Sequence, residues 1–167
     1  MRPSLLATTV TAVLVLAAPA AAGLPRAGKL VPGRSLGGIR LTESPRAVRA
    51  ALGTFYGACR GCRRTTWYFT YRPFDEHGLA VEFARGGGVS AVYTLWRPRG
   101  WTATPHGLGF GSSPLVVHRL GRPTRSVACG GYEALVRDSA RASTAYYLFD
   151  GALWGFGLFE RGADPCR

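Results

Sequence analysis

The chain has 167 residues, with 21 Lys and Arg against nine Asp and Glu and a formal net charge of +12. That length suits one compact domain or two small ones and is short for a hydrolase sheet. The positive charge favours anionic partners, yet the arginines are scattered along the chain, as on an arginine-rich surface with no dedicated ligand.

Residues 1–22 carry the three parts of a secretory signal. Arg2 supplies the positive start, Leu5 to Ala18 is apolar and uncharged, and Ala20-Ala21-Ala22 before Gly23 is a small-residue cleavage site. The apolar run is short for a membrane span, which needs about 20 residues. No cysteine stands at the cleavage site, which argues against a lipoprotein anchor. An extracytoplasmic protein is expected, held in the cell envelope or released, with no span in the mature chain and no nucleic-acid partner.

Residues 23–36 are rich in Gly, Pro and basic side chains and are expected to form a flexible leader. A phrase then occurs twice. Gly38-Ile39-Arg40-Leu41-Thr42-Glu43-Ser44-Pro45 reads like Gly107-Leu108-Gly109-Phe110-Gly111-Ser112-Ser113-Pro114. Each copy is followed by a Leu-Gly pair, Leu52-Gly53 and Leu120-Gly121. A recurrence of this kind points to a duplicated unit. Ser44-Pro45 and Ser113-Pro114 are helix starts, with Ser as N-cap and Pro at the first helical position. Ala47, Val48, Ala51 and Leu52 form an apolar stripe at helical spacing, and Gly53 is the stop.

Three strand-like runs follow the first helix: Trp67 to Tyr71, Leu79 to Phe83 and Val89 to Leu95, the last two joined at Gly86-Gly87-Gly88. The second helix is followed by Tyr132 to Val136, Ser143 to Phe149 and Leu153 to Phe159, with Asp150-Gly151 turning the last pair. The expected fold class is α+β: two tandem repeats, residues 37–95 and 104–167, each a short helix packed on a three-stranded antiparallel meander. Residues 96–103 form the linker between them.

The four cysteines are an even number in a chain expected outside the cytoplasm, and read as two disulfides. Three connectivities are open. Cys59 with Cys62 and Cys129 with Cys166 is preferred, because each bridge then stays within one repeat. A redox Cys-x-x-Cys would open a helix, but β-branched and aromatic residues follow Cys62 soon after. A four-cysteine zinc site would show two close pairs, and Cys129 lies far from Cys166 in sequence.

Short tandem units of this order, each with an entry phrase, a helix ending Leu-Gly, a cysteine loop and a meander, resemble the β-lactamase inhibitory proteins and the SmpA/OmlA-like modules. The entry phrase of those families resembles Gly-Ile-x-Leu-Gly-Met-Thr. Gly38-Ile39-Arg40-Leu41 matches it, while Thr42-Glu43-Ser44 departs from it. The resemblance implies helices on one face of antiparallel sheet, a protein-gripping or envelope-assembly role, and no catalytic residues. It transfers no binding residue to this chain.

No enzyme is expected, and no metal or cofactor. His77 follows Asp75-Glu76 in a turn between strands, and no His-Glu-x-x-His pattern is present. Gly33-Arg34-Ser35-Leu36-Gly37 spells a nucleophile elbow, but lacks the strand before and helix after that the elbow requires.

Binding is expected at two places. The linker carries Trp96, Arg97, Arg99 and Trp101, residue types enriched in interface hot spots. In the last strand, strict alternation puts Trp154, Phe156 and Leu158 on one face, and Leu153, Gly155, Gly157 and Phe159 on the other. Trp154 and Phe156 are therefore candidates for an exposed aromatic surface, and the glycines for close approach by a helix or second sheet. The expected function is a secreted, non-enzymatic binding protein for a protein or an envelope component. The alternative is a basic structural protein held electrostatically on anionic cell-wall or lipid surfaces.

Overall fold

The computed structural model describes residues 24–167 except positions 60, 120, 122 and 124. The predicted signal, residues 1–22, and Leu120 of the second Leu-Gly pair lie outside the described residues.

The helices form where the caps place them. Helix α1 runs Pro45–Leu52, with the Ser44 hydroxyl accepting from the Ala47 N–H, and Gly53 closes it by donating to the Arg49 carbonyl. Helix α2 is Pro114–Arg119. The six predicted strands are all present, displaced by a residue or two at most ends. They are β4 (Thr65–Thr70), β5 (Gly78–Phe83), β6 (Val89–Leu95), β10 (Glu133–Asp138), β11 (Ala142–Phe149) and β12 (Ala152–Glu160).

The assembly differs from the expected pair of modules. Among the described residues the chain is mostly β, 41% strand against 10% helix. All six strands belong to one eight-stranded antiparallel sheet, with β3 (Gly57–Ala58) and β9 (Arg125–Ala128) at its edges. Its order is β3-β4-β5-β6-β12-β11-β10-β9. Strands β6 and β12 pair directly through Ala91–Phe159, Val92–Leu158 and Tyr93–Gly157, which makes the two halves one body. A meander leaves an unpaired edge at its last strand. Here those two edges satisfy each other's backbone groups, which removes an exposed edge from each.

The predicted leader is not a leader in the structure. β1 (Lys29–Val31) and β2 (Ser35–Leu36) form a hairpin, which joins β7 (Thr102–Ala103) and β8 (Leu108–Gly109) in a second, four-stranded sheet. Leu30 and Leu36 are fully buried. Ser35 of the apparent elbow motif is paired with Val31 across that hairpin. The likeness between the two phrases is local. Thr42 and Glu43 clamp Val89 by two backbone hydrogen bonds, and Gly111 and Ser112 clamp Leu153 in the same way.

The large sheet has two unlike faces. The first carries Trp67, Phe69, Leu79, Val81, Phe83, Val92, Leu135, Leu148, Phe156 and Leu158. Val48 and Leu52 of α1, Val117 of α2, and Leu30, Ala103 and Leu108 of the small sheet pack onto it. The second carries Ala80, Ala91, Ala134 and Ala145 beneath Tyr93, Tyr147 and Phe159. Its cover is the tail, residues 161–167. That segment is held by the Cys129–Cys166 disulfide, by Tyr147 donating to the Pro165 carbonyl at 2.7 Å, and by Arg125 donating to the Ala163 carbonyl.

Candidate functional site

The tail covers only part of the second face. Beyond it lies a groove of about 760 Å³ walled by Tyr68, Tyr93, Trp96, Tyr132, Tyr147, Phe149 and Trp154. Asp75, Glu76, Arg97 and Arg167 also line it. The rings support one another. Trp154 meets Tyr132 edge-on at 5.5 Å, and Trp96 lies 6.3 Å from Trp154. The Trp154 indole nitrogen is buried and donates to no group among the described residues. A buried donor without an acceptor costs about 1–3 kcal/mol.

Trp154 reaches the groove through a bulge. Tyr147 pairs with Gly155 and Leu148 with Leu153, so Trp154 is an extra residue in β12. The strict alternation expected for this strand is therefore broken. Leu153 and Phe156 both face the first layer, and Trp154 turns to the second face. Phe156, a candidate for the exposed surface, is fully buried, 4.9 Å from the Phe110 ring. The glycines of this strand do not receive a helix or another sheet. A Cβ on Gly157 would lie 2.3 Å from the Phe159 ring and 2.8 Å from the Tyr147 hydroxyl. Aromatic rings of the same face cover it.

The linker also divides. Trp96 is 57% exposed with φ of 48°, a left-handed conformation uncommon for a bulky residue. It lines the groove together with Arg97. Arg99 lines a different depression, with Leu24, Arg26, Phe55 and Arg72. Trp101 is 1% exposed and belongs to the core. Its ring lies between Gly28 and Gly37, where a Cβ would approach ring carbons to 2.7 Å and 2.8 Å. Its indole N–H donates to the Tyr71 hydroxyl at 2.8 Å, which in turn donates to the Pro25 carbonyl. Burial raises the Tyr71 pKa, against the lowering effect of the Trp101 hydrogen bond. Trp101 is thus the pin that fastens residues 25–37 to the rest of the molecule, and not the surface contact expected of it.

The tail supplies the groove's other wall. The Arg167 guanidinium stacks 4.8 Å over Phe159 and pairs with Glu82 at 2.8 Å. Tyr132 donates to the Arg167 carbonyl at 2.6 Å and accepts from its N–H at 2.7 Å. Burial pushes the Tyr147 and Tyr93 phenols well up from their ordinary value, so both stay neutral. At the rim, the His77 backbone N–H and then its ring hold the Asp75 carboxyl below its usual range.

Of the six predicted binding residues, the structure brings Trp96, Arg97 and Trp154 together and sends Arg99, Trp101 and Phe156 elsewhere. The sequence reading missed Tyr68, Tyr132, Phe149 and Arg167. Tyr68 was accessible to it, because alternation in β4 places Tyr68 and Thr70 opposite Trp67 and Phe69, and both line the groove. Arg167 had no such signal.

Both predicted disulfides are formed, Cys59–Cys62 and Cys129–Cys166. Among the described residues no helix is long and apolar enough to cross a membrane.

No protein-family model matches the chain, and no curated protein matches it. A solved structure does. The crystal structure of a DUF4309 family protein, YjgB, from Bacillus subtilis subsp. subtilis str. 168 is similar with a TM-score of 0.56 and 16% sequence identity. The likeness covers 75% of this chain and 84% of that one. At that identity what the two share is a fold.

Proposed function

We propose that this is an extracytoplasmic, non-catalytic binding protein that takes an apolar segment of a protein partner into the aromatic groove of its second sheet face. The observation that carries this reading is the groove's wall, seven aromatic side chains with a buried, unpartnered Trp154 N–H among them. Aromatic anchors in a desolvated pocket dominate interface energetics. The surface that the walls present is mostly apolar, which suits an apolar side chain better than a sugar with many hydroxyls. Trp96 supports the same reading: a large ring kept exposed in a left-handed conformation is costly unless it serves a contact.

Photoreactive residues placed at Tyr68 and at Arg97, in the cells that make the protein, test it. A protease-sensitive adduct from both positions is expected. It should persist in moderate salt and disappear when Trp96 and Trp154 are changed to Ala. The same adduct from Arg141, an exposed residue that does not line the groove, would sink the proposal. An adduct digested by cell-wall hydrolases but not by proteases, and lost in salt, would favour the electrostatic alternative.

A further inference from the structure

Arginines that are scattered in sequence meet at one edge of the large sheet. Arg63 and Arg64 follow Cys62 into β4, and Arg85 stands in the turn between β5 and β6. All three line a depression of about 580 Å³ with Trp67 and Phe83, closed on one side by Pro45 at the start of α1. Arg49 of α1 lies 5.4 Å over the Trp67 ring, which adds a fourth positive charge beside it. The depression lies away from the aromatic groove and shares no lining residue with it.

The charges here are poorly neutralised. Arg64 reaches Glu82 at only 3.8 Å, and that carboxylate is held more closely by Arg167 at 2.8 Å. Among the described residues no carboxylate pairs with Arg63 or Arg85. Glu160 is the one acid in the lining, against Arg63 and Arg85. The Cys59–Cys62 bridge closes a loop with a sequence separation of only 3. A loop that short gives little entropic stabilisation. Its evident consequence is to fix the backbone from which Arg63 and Arg64 project.

We infer that this corner binds a phosphate-bearing ligand, held by Arg63 and Arg85 beside the Trp67 and Phe83 rings, with Arg64 adding positive charge from the neighbouring edge. Guanidinium forks match phosphate oxygens in pairs, and their charge-assisted hydrogen bonds are stronger than neutral ones. The phosphate could belong to a soluble ester or to a lipid headgroup, because the same atoms would be recognised.

Calorimetric titration with inorganic phosphate and glycerol phosphate, and sedimentation with phosphatidylglycerol vesicles against phosphatidylcholine vesicles, separate the two sources. Saturable binding in at least one arm is expected. The double variant Arg63→Ala/Arg85→Ala should lose roughly tenfold or more in affinity with its melting temperature unchanged. Arg141→Ala/Arg161→Ala removes the same charge from two other exposed positions and should bind as the parent does. Cys59→Ala/Cys62→Ala should weaken binding while barely altering stability. Equal losses in the two arginine variants would show unspecific attraction and overturn the proposal. So would the absence of binding in every arm. Neither result bears on the aromatic groove.

Discussion

The two faces of the large sheet are built on different rules. The first interdigitates Trp67, Phe69, Val81, Phe156 and Leu158 with side chains from both helices and the small sheet. The second sets Ala80, Ala91, Ala134 and Ala145 low and lays Tyr93, Tyr147 and Phe159 over them. Large side chains demand a thick cover, which two helices and a second sheet supply. Small ones allow a thin cover, and a short tail suffices. A thin cover ends early, and where it ends the rings of Tyr68, Trp96, Phe149 and Trp154 line an open groove. The difference teaches that a face of large side chains is closed by packing, while a face of small ones can leave an aromatic groove open.

The sharpest way to break that contrast is to hollow the first face. Trp101→Ala removes a ring packed between Gly28 and Gly37 and takes away the indole donor to the Tyr71 hydroxyl. A loss of about 3–5 kcal/mol is expected by urea unfolding, with protease sensitivity appearing first in residues 25–37. Next is the cover of the second face. Cys129→Ala/Cys166→Ala opens a sequence separation of 37 and should cost about 3–4 kcal/mol on the chain-entropy model. Because the tail and not the first core is freed, the variant should keep its fold at neutral pH and bind an apolar dye more strongly than the parent.

A smaller effect separates burial from bonding. The Tyr146 hydroxyl is buried on the first face with no hydrogen-bond partner among the described residues, and burial pushes its pKa up to about 12. A folded pKa raised above the unfolded value means that the folded state resists the phenolate. The stability is whole below pH ~10 and is lost as pH rises through the folded value. Tyr146→Phe should therefore be neutral or stabilising by up to about 1 kcal/mol at pH 7. Its advantage in unfolding free energy, read by urea titration, should widen by about 1 kcal/mol near pH 11. An advantage that stays flat with pH would show that Tyr146 does not titrate in this range.

Much of the local structure was legible. Ser44-Pro45 and Ser113-Pro114 start the helices, and each of the six long strands was marked by its β-branched and aromatic run. Assembly was not, because it depends on one event that periodicity does not encode: the edges of β6 and β12 pair with each other. The short strands β1, β2, β7 and β8 escaped because two or three residues carry no period, and because Trp101, which fastens them, looked like a surface residue in a Gly-Pro-Arg setting. The groove was half legible for a similar reason. Strict alternation assigned Trp154 and Phe156 to one face, and a one-residue bulge separates them. A bulge has no signature in the hydrophobic pattern, since either register of Leu153-Trp154-Gly155-Phe156 buries large side chains.

The last and smallest perturbation of stability is the most informative about function. Trp96 is exposed, and its ring lies tilted against that of Trp154 at 6.3 Å. Losing that contact should cost about 0.5–1.5 kcal/mol at most. Glycine is at ease at a φ of 48° where tryptophan is not, so Trp96→Gly recovers about 1 kcal/mol of the left-handed strain. The two terms oppose each other, and the variant should unfold within about 0.5 kcal/mol of the parent. Its groove adducts from Tyr68 should nevertheless fall sharply, because the ring that leaves is the one most available to a partner. If instead stability drops by about 2 kcal/mol or more, Trp96 is part of the cover rather than of the opening, and the second face is closed at that end by its own residues.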